Sequence, residues 1–262
     1  WTQVDYYQML NLTAWGRKKH ERQEQEAFKQ ADLATIVSPH WKQDLEAIGA
    51  KNVRVLYWGY DPEDFAGLER YPHEKFTLTH LGIMGYDRNP EILFEAIRQL
   101  KAEEPGFAED FELRLYGQVD HRVRASIEAH DLLEQTNFAG TVDRAEALQE
   151  MKNSHVLLLL LNQQENALGR VPGKLFEYLA VHRPIVNFGP VESDVAAMIE
   201  ETESGATFPY DLDPALVARK IKEHYAVYKG RRRAGETNAR IEQYSHPQLV
   251  LKLSTFLDEI AA

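Results

Sequence analysis

Strand-length apolar runs recur along the chain, with segments of helical period between them. The runs LATIV (33–37), VRVLYW (53–58), FTLTHLG (76–82), ELRLYG (112–117), TNFAG (136–140), HVLLLLL (155–161), PIVNFG (184–189) and GATF (205–208) predict eight strands. VLLLLL has no wet face, which suits a central strand of a parallel sheet covered on both sides. Segments 89–104, 121–130, 144–153, 174–181 and 194–203 carry apolar residues at helical spacing. From about residue 76 onward the order is βαβα, so the predicted class is α/β with a doubly wound, Rossmann-like parallel sheet.

The first fifty residues depart from this plan. They predict a long polar helix around GRKKHERQEQEAFKQ, one strand, and a second helix in HWKQDLEAIGA. A lone strand is not stable in water, so this piece must join a sheet in the same chain, in a partner, or in sequence beyond that given. After DLDPALV the pattern is helical, and LVLKLSTFLDEI closes the chain as an amphipathic helix.

Composition narrows the function. The 262 residues are 44% hydrophobic and 27% charged, enough for one large domain or two modest ones. A formal charge of −11 argues against nucleic-acid binding, which needs a dominant basic field. The lack of cysteine excludes disulfides, thiolate catalysis and thiolate-bound zinc. The longest apolar run, Val156 to Leu161, is far short of the roughly 20 residues of a bilayer span. Cytoplasm is the expected location. The basic run from Lys229 to Arg233 reads as a solvated helix end, or, more sharply, as a peripheral contact with anionic lipid at the inner face of a membrane.

Candidate chemistry centres on VPGKLFEYLAVHRPIV (171–186). Pro172-Gly173 ahead of a helix either merely turns the chain into it or leaves backbone N–H groups at its start as an anion site, to which Lys174 would add a point charge. It is not a P-loop: Gly169 to Gly173 is one residue too short, and Leu175 stands where a hydroxyl should be. Glu177 lies one turn on, among apolar neighbours. The plain reading is a first-turn acid that offsets the helix dipole and pairs loosely with Lys174. The sharper one is a carboxylate at the C-terminal ends of the strands, where doubly wound sheets bind ligands, accepting two ribose hydroxyls. A weaker phosphate element is LGIMGYDRNPEIL, in which Gly82 and Gly85 flank a loop and Arg88 precedes a helix with Asn89 as its expected cap. There is no HExxH or GxSxG, His80 reads as a satisfied core residue, and the Asn11-Leu12-Thr13 sequon carries little weight.

Four segments together, 31–65, 81–93, 113–160 and 172–186, resemble the donor-binding half of a GT-B glycosyltransferase of the family 4 type. The resemblance implies that Glu177 holds the donor ribose and that Gly173, Lys174 and Leu175 lie at the diphosphate, with Arg88 reaching the same phosphates. It implies that Gly82 and Gly117 belong to the donor loops and that Thr141 and Val142 border the base. It implies a nucleotide-diphosphate sugar as donor, a glycan, lipid-linked or small-molecule acceptor, retention at the anomeric carbon, and no metal or other cofactor. Residues 1–55 would be the tail of an N-terminal acceptor domain, 56–240 the donor domain and 241–262 a C-terminal helix. A truncated form, inactive in isolation, is therefore expected. Two departures stand out. Gly169 occupies the place of a glutamate eight residues before the ribose acid, with Glu165 near but at another spacing, and Ile83 replaces an Arg beside the first loop glycine. They motivate one rival, a non-catalytic nucleotide-sugar-binding subunit; the other, a nucleotide-sugar epimerase of the same two-domain plan, would need an acid and base pair at the cleft, and none is evident in the sequence.

Overall fold

The computed structural model describes residue 7 and residues 10–230 and 239–261. Arg231, Arg232 and Arg233 of the basic run lie outside them. The long polar helix is α1 (Ala14–Gln30), capped by the Thr13 hydroxyl, which accepts from Gly16 N–H at 3.1 Å. It is followed by β1 (Ala34–Ile36), α2 (Pro39–Ala47) and β2 (Val53–Val55). Of the three sheets open to the first strand, it joins one in its own chain: β1 and β2 pair in parallel as a separate two-stranded sheet. Leu45, Ala50 and Val53 form a small core beneath it.

The doubly wound part runs β3 (Phe76–Leu81), α3 (Glu91–Glu103), α4 (Phe107–Asp110), β4 (Phe111–Tyr116), α5 (His121–Ala129), β5 (Thr136–Gly140), α6 (Arg144–Asn153), β6 (Val156–Leu160), α7 (Gly173–Ala180), β7 (Ile185–Phe188), α8 (Asp194–Glu201), β8 (Gly205–Phe208) and α9 (Pro214–Lys229). Its six strands are all parallel, in the order β5-β4-β3-β6-β7-β8. All eight predicted strands form. The helix after β3 starts later than expected: Pro90, not Asn89, is its cap residue, and the Asn89 amide instead donates to Glu91 at 3.0 Å.

β6 shows why its sequence is continuously apolar. Val156, Leu158 and Leu160 enter one core with α3, α5 and α9, whereas Leu157, Leu159 and Leu161 enter the other with α6, α7 and α8. His80 is buried in β3 with Nδ1 2.9 Å from the Leu158 carbonyl oxygen. Burial and the nearby Lys174 amine push its pKa down to about 3, against the pull of hydrogen bonds to Leu158 and Ile83, so it sits in the core as a neutral ring. The closing helix, α10 (His246–Ala261), buries Leu249 and returns to the first unit, where Arg54 Nη2 meets Glu259 Oε2 at 2.9 Å.

Candidate functional site

The strand order reverses between β3 and β6, from which the chain winds outward to either edge. At such a switch point the loops after the two strands part and leave a crevice at their C-terminal ends. A cavity of about 310 Å³ lies there, lined by Leu160, Leu161 and Asn162 after β6, by Arg88 from the loop after β3, by Arg170, and by Pro172, Gly173 and Lys174 at the start of α7. Val37, Trp41 and Trp58 of the N-terminal part close the other side.

The local sequence explains how α7 is held. Leu175, Phe176, Tyr178, Leu179 and Ala180 are buried, so the helix is clamped against the sheet with its first residue at the cavity. Gly173 is exposed, with open space where a side chain would be. Lys174 folds inward and donates Nζ–H to the Leu81 carbonyl at the end of β3, at 2.8 Å. Gly82, at φ +128°, makes room for it, since a Cβ there would lie 2.6 Å from that nitrogen. Gly117, at φ +103°, lets the loop after β4 touch the loop after β3, because its Cβ would fall 2.6 Å from the Gly82 oxygen. Arg88 sits in a short 3-10 turn, Tyr86–Arg88, with Nε buried, making no hydrogen bond and only a long ion pair, 3.9 Å, to Asp87 Oδ2. Burial, then the Arg88 charge, lowers the Lys174 pKa to about 8, with Glu177 partly opposing them. A crevice with two convergent cations, one of them short of partners, is prepared for an anion.

Glu177 does not pair with Lys174. Its Oε1 accepts from Arg144 Nη1 at 2.7 Å, and Arg144 Nη2 also donates to Asp64 Oδ2 at 2.5 Å. The Glu177 side chain is 21% exposed, and its bridge to the 61% exposed Arg144 lies at the surface. Its two acids hold Arg144 still more firmly protonated than usual. This bridge fixes the carboxylate and leaves Oε2 as an acceptor.

The structure brings Gly82, Arg88, Gly117, Gly173 and Lys174 together around the crevice. Leu175 follows with its side chain in the core and its N–H bonded to the Pro172 carbonyl at 3.0 Å, so neither group faces an anion. Thr141 and Val142 stand apart, after β5. Thr141 is exposed, Val142 is packed on the core, and both precede α6, whose first residue, Arg144, bonds Glu177.

Trp41, Trp58, Asn162, Arg170, Arg144 and Asp64 carry no motif, and no sequence signal marked them. Gly169 has a structural account: a Cβ there would meet Trp41 Cδ1 at 2.3 Å and Ser38 Oγ at 2.6 Å. Trp41 is in turn placed by Ser38, whose Oγ caps α2 by accepting from Trp41 N–H at 3.0 Å and donates to buried Asp194 Oδ2 at 2.5 Å. Asp194 also accepts from His40 N–H at 3.2 Å and lies 2.5 Å from His40 Nδ1. α2 is thereby docked onto the first turn of α8. Ile83, at the other departure, is exposed.

The model of the family described as glycosyl transferases group 1 matches residues 75–226, more than half of the chain and all of the six-stranded sheet. The chain belongs to this family. Its fold is that of GT-B glycosyltransferases. It is similar to Anabaena HepE, solved in complex with UDP, at 13% identity and TM-score 0.69 over 92% of this chain and 68% of that one. Sucrose-phosphate synthase from Thermosynechococcus elongatus matches at 15% identity and TM-score 0.69 over 99% and 64%, respectively. The pneumococcal O-GlcNAc transferase GtfA, solved with UDP and GlcNAc, matches at 15% and 0.67 over 93% and 48%. The chain thus spans about half to two thirds of the length of these proteins. No curated protein matches it in sequence. No helix among the described residues is long and apolar enough to cross a membrane.

Proposed function

We propose that the chain is the donor-binding part of a family 4 type glycosyltransferase that takes a nucleoside-diphosphate sugar. The reading rests on one observation: Lys174 and Arg88 converge on the start of α7 at the switch point, and Glu177 stands one turn further on with an acceptor oxygen to spare. The diphosphate would lie on the first N–H groups of α7 and on the two cations. The ribose hydroxyls would donate to Glu177, whose orientation Arg144 sets, and the base would lie toward Thr141 and Val142. As the bond to the sugar breaks, charge grows on the β-phosphate, and fixed cations and helix N–H groups stabilise it without reorganising. We infer that departure of the diphosphate needs no metal or other cofactor, because the charges that would neutralise it are already in place.

Transfer to a glycan, lipid-linked or small acceptor, with retention, is the reaction this site suits. With the chain spanning about half to two thirds of its structural neighbours, we propose that alone it binds donor and turns over little. Calorimetry with UDP, GDP and ADP tests the reading, with UDP first because two of the neighbours were solved with it. Loss of hydroxyl bonds to a charged acceptor in Glu177→Ala should weaken the nucleotide by about tenfold or more. Equal affinity in the variant would remove Glu177 from the site.

A further inference from the structure

The opposite, N-terminal edge of the sheet carries a second group of basic side chains. Arg70 lies in the connection leading to β3, Lys152 in the last turn of α6, and Arg183 between α7 and β7. Three contacts show that these segments meet. Tyr71 N–H donates to Asn153 Oδ1 at 2.9 Å, Thr77 N–H lies 3.2 Å from His155 Nδ1, and Leu157 N–H donates to the Pro184 carbonyl at 2.8 Å. His155, just before β6, and His182, next to Arg183, lie on the same segments. All five residues are half-buried.

This group differs from an ordinary solvated basic patch in having no counter-charge. Among the described residues, Arg70, Lys152 and Arg183 form no ion pair, and the one hydrogen bond from their side chains is a long one, 3.4 Å, from Arg183 Nε to the Val181 carbonyl. Arg70 Nε is buried with no acceptor. Two acids on the same segments are engaged elsewhere: Glu69 accepts from the Tyr71 hydroxyl at 2.7 Å, and Glu150 is held by His73 at 3.0 Å, by the Tyr116 hydroxyl and by Arg114. Burial alone lowers Arg70, and in the other four members repulsion from neighbouring cations adds to burial. Burial, then repulsion from Arg70, lowers Arg183 to about 10. Burial, then Arg183 and Arg70, lowers Lys152. Burial, then neighbouring cations, lowers His182 and takes His155 to about 4. A lysine at the C-terminus of α6 suits the helix dipole, but that does not account for two half-buried guanidinium groups beside it. In a chain of net charge −11, three half-buried cations without an ion pair are out of keeping with the rest of the molecule.

We propose that Arg70, Lys152 and Arg183 form a second anion site, on the edge of the sheet opposite the α7 cavity, that takes a phosphoryl group. Two planar guanidinium forks and one ammonium match the several acceptor oxygens of a phosphate better than a single carboxylate. The neutral rings of His155 and His182 add N–H donors without adding repulsion. The same chemistry is offered by a soluble phosphorylated metabolite and by a phosphate-bearing lipid headgroup. The site stands independently of the nucleotide-sugar reading, since it shares no residue with it.

The test uses the full chain in a Lys174→Ala, Arg88→Ala background, so that both cations of the α7 cavity are removed from competition, with inorganic phosphate as probe. Phosphate should raise the melting temperature, and Arg183→Gln should weaken its binding at least tenfold. In phosphate-free buffer the same variant should melt no lower than its parent, because it removes a repelled charge; a side chain with a merely structural role would melt lower. Should Arg183→Gln fail to fold, Lys152→Met carries the same two expectations. Phosphatidylcholine vesicles with and without phosphatidic acid separate the sources. Sedimentation with the acidic vesicles, lost in the variant, supports a lipid headgroup, and phosphate binding without sedimentation supports a soluble ligand. If neither probe binds, or if both bind the variant as well as the parent, the proposal is wrong.

Discussion

Diphosphate affinity should fall about tenfold between pH 7 and pH 9, and Lys174→Arg should abolish that fall. Burial and Arg88 hold the Lys174 amine near 8 in the nucleotide-free protein. It is then about 90% protonated at pH 7 and about 10% at pH 9. A bound diphosphate brings opposite charge and returns the amine toward its ordinary range near 10.5, so binding above pH 8 takes up a proton. The affinity follows the protonated fraction of the free protein, a tenfold difference worth about 1.4 kcal/mol. The sign also holds for stability: with the folded value below the unfolded one, the charged amine penalises the fold below about pH 8, and stability rises as pH increases from 8 toward 10.5. Calorimetry with UDP in two buffers of different ionisation enthalpy reads both the affinity and the proton uptake. A flat profile from pH 7 to 9, or an arginine variant that falls as steeply as the parent, would refute the placement of Lys174 at the phosphates.

Three further outcomes follow from the packing around the crevice. Gly169→Ala should displace Trp41, whose ring carbon would lie 2.3 Å from the new methyl group, and cost about 1–3 kcal/mol by overpacking; urea melts and tryptophan emission would show it, and an unchanged spectrum would contradict it. Asp194→Ala should cost about 1–3 kcal/mol, because the buried Ser38 hydroxyl and the His40 N–H lose their acceptor. Arg144→Gln should change stability by less than about 1 kcal/mol, since its side chain is 61% exposed, yet weaken uridine binding by releasing Glu177, with pyrophosphate binding unaffected.

The periodicity of the chain was enough for the strands, because a parallel sheet covered on both faces demands continuous apolar runs, and β6 is the clearest case. It also marked α7, whose buried face is local in sequence. The partners of its polar residues were not legible. The plain reading of Glu177 pairs it with Lys174 three residues away and the sharper one aims it at a ribose, but neither contains its partner Arg144, 33 residues away, or Asp64 beyond it. Such pairings depend on which strand ends the topology brings together, and helical spacing does not encode that. Gly169 read as a missing acid; in the fold it is the contact point for Trp41, which arrives from a helix 128 residues earlier in the sequence. The family resemblance implies Leu175 at the diphosphate, but its N–H closes the first turn of the helix onto Pro172.

The most direct measurement is a crystal structure of the chain with UDP. The diphosphate should lie against Gly173, Lys174 and Arg88, with both ribose hydroxyls within hydrogen-bond distance of Glu177. A nucleotide bound away from the start of α7, or a ribose with no contact to Glu177, would contradict the account.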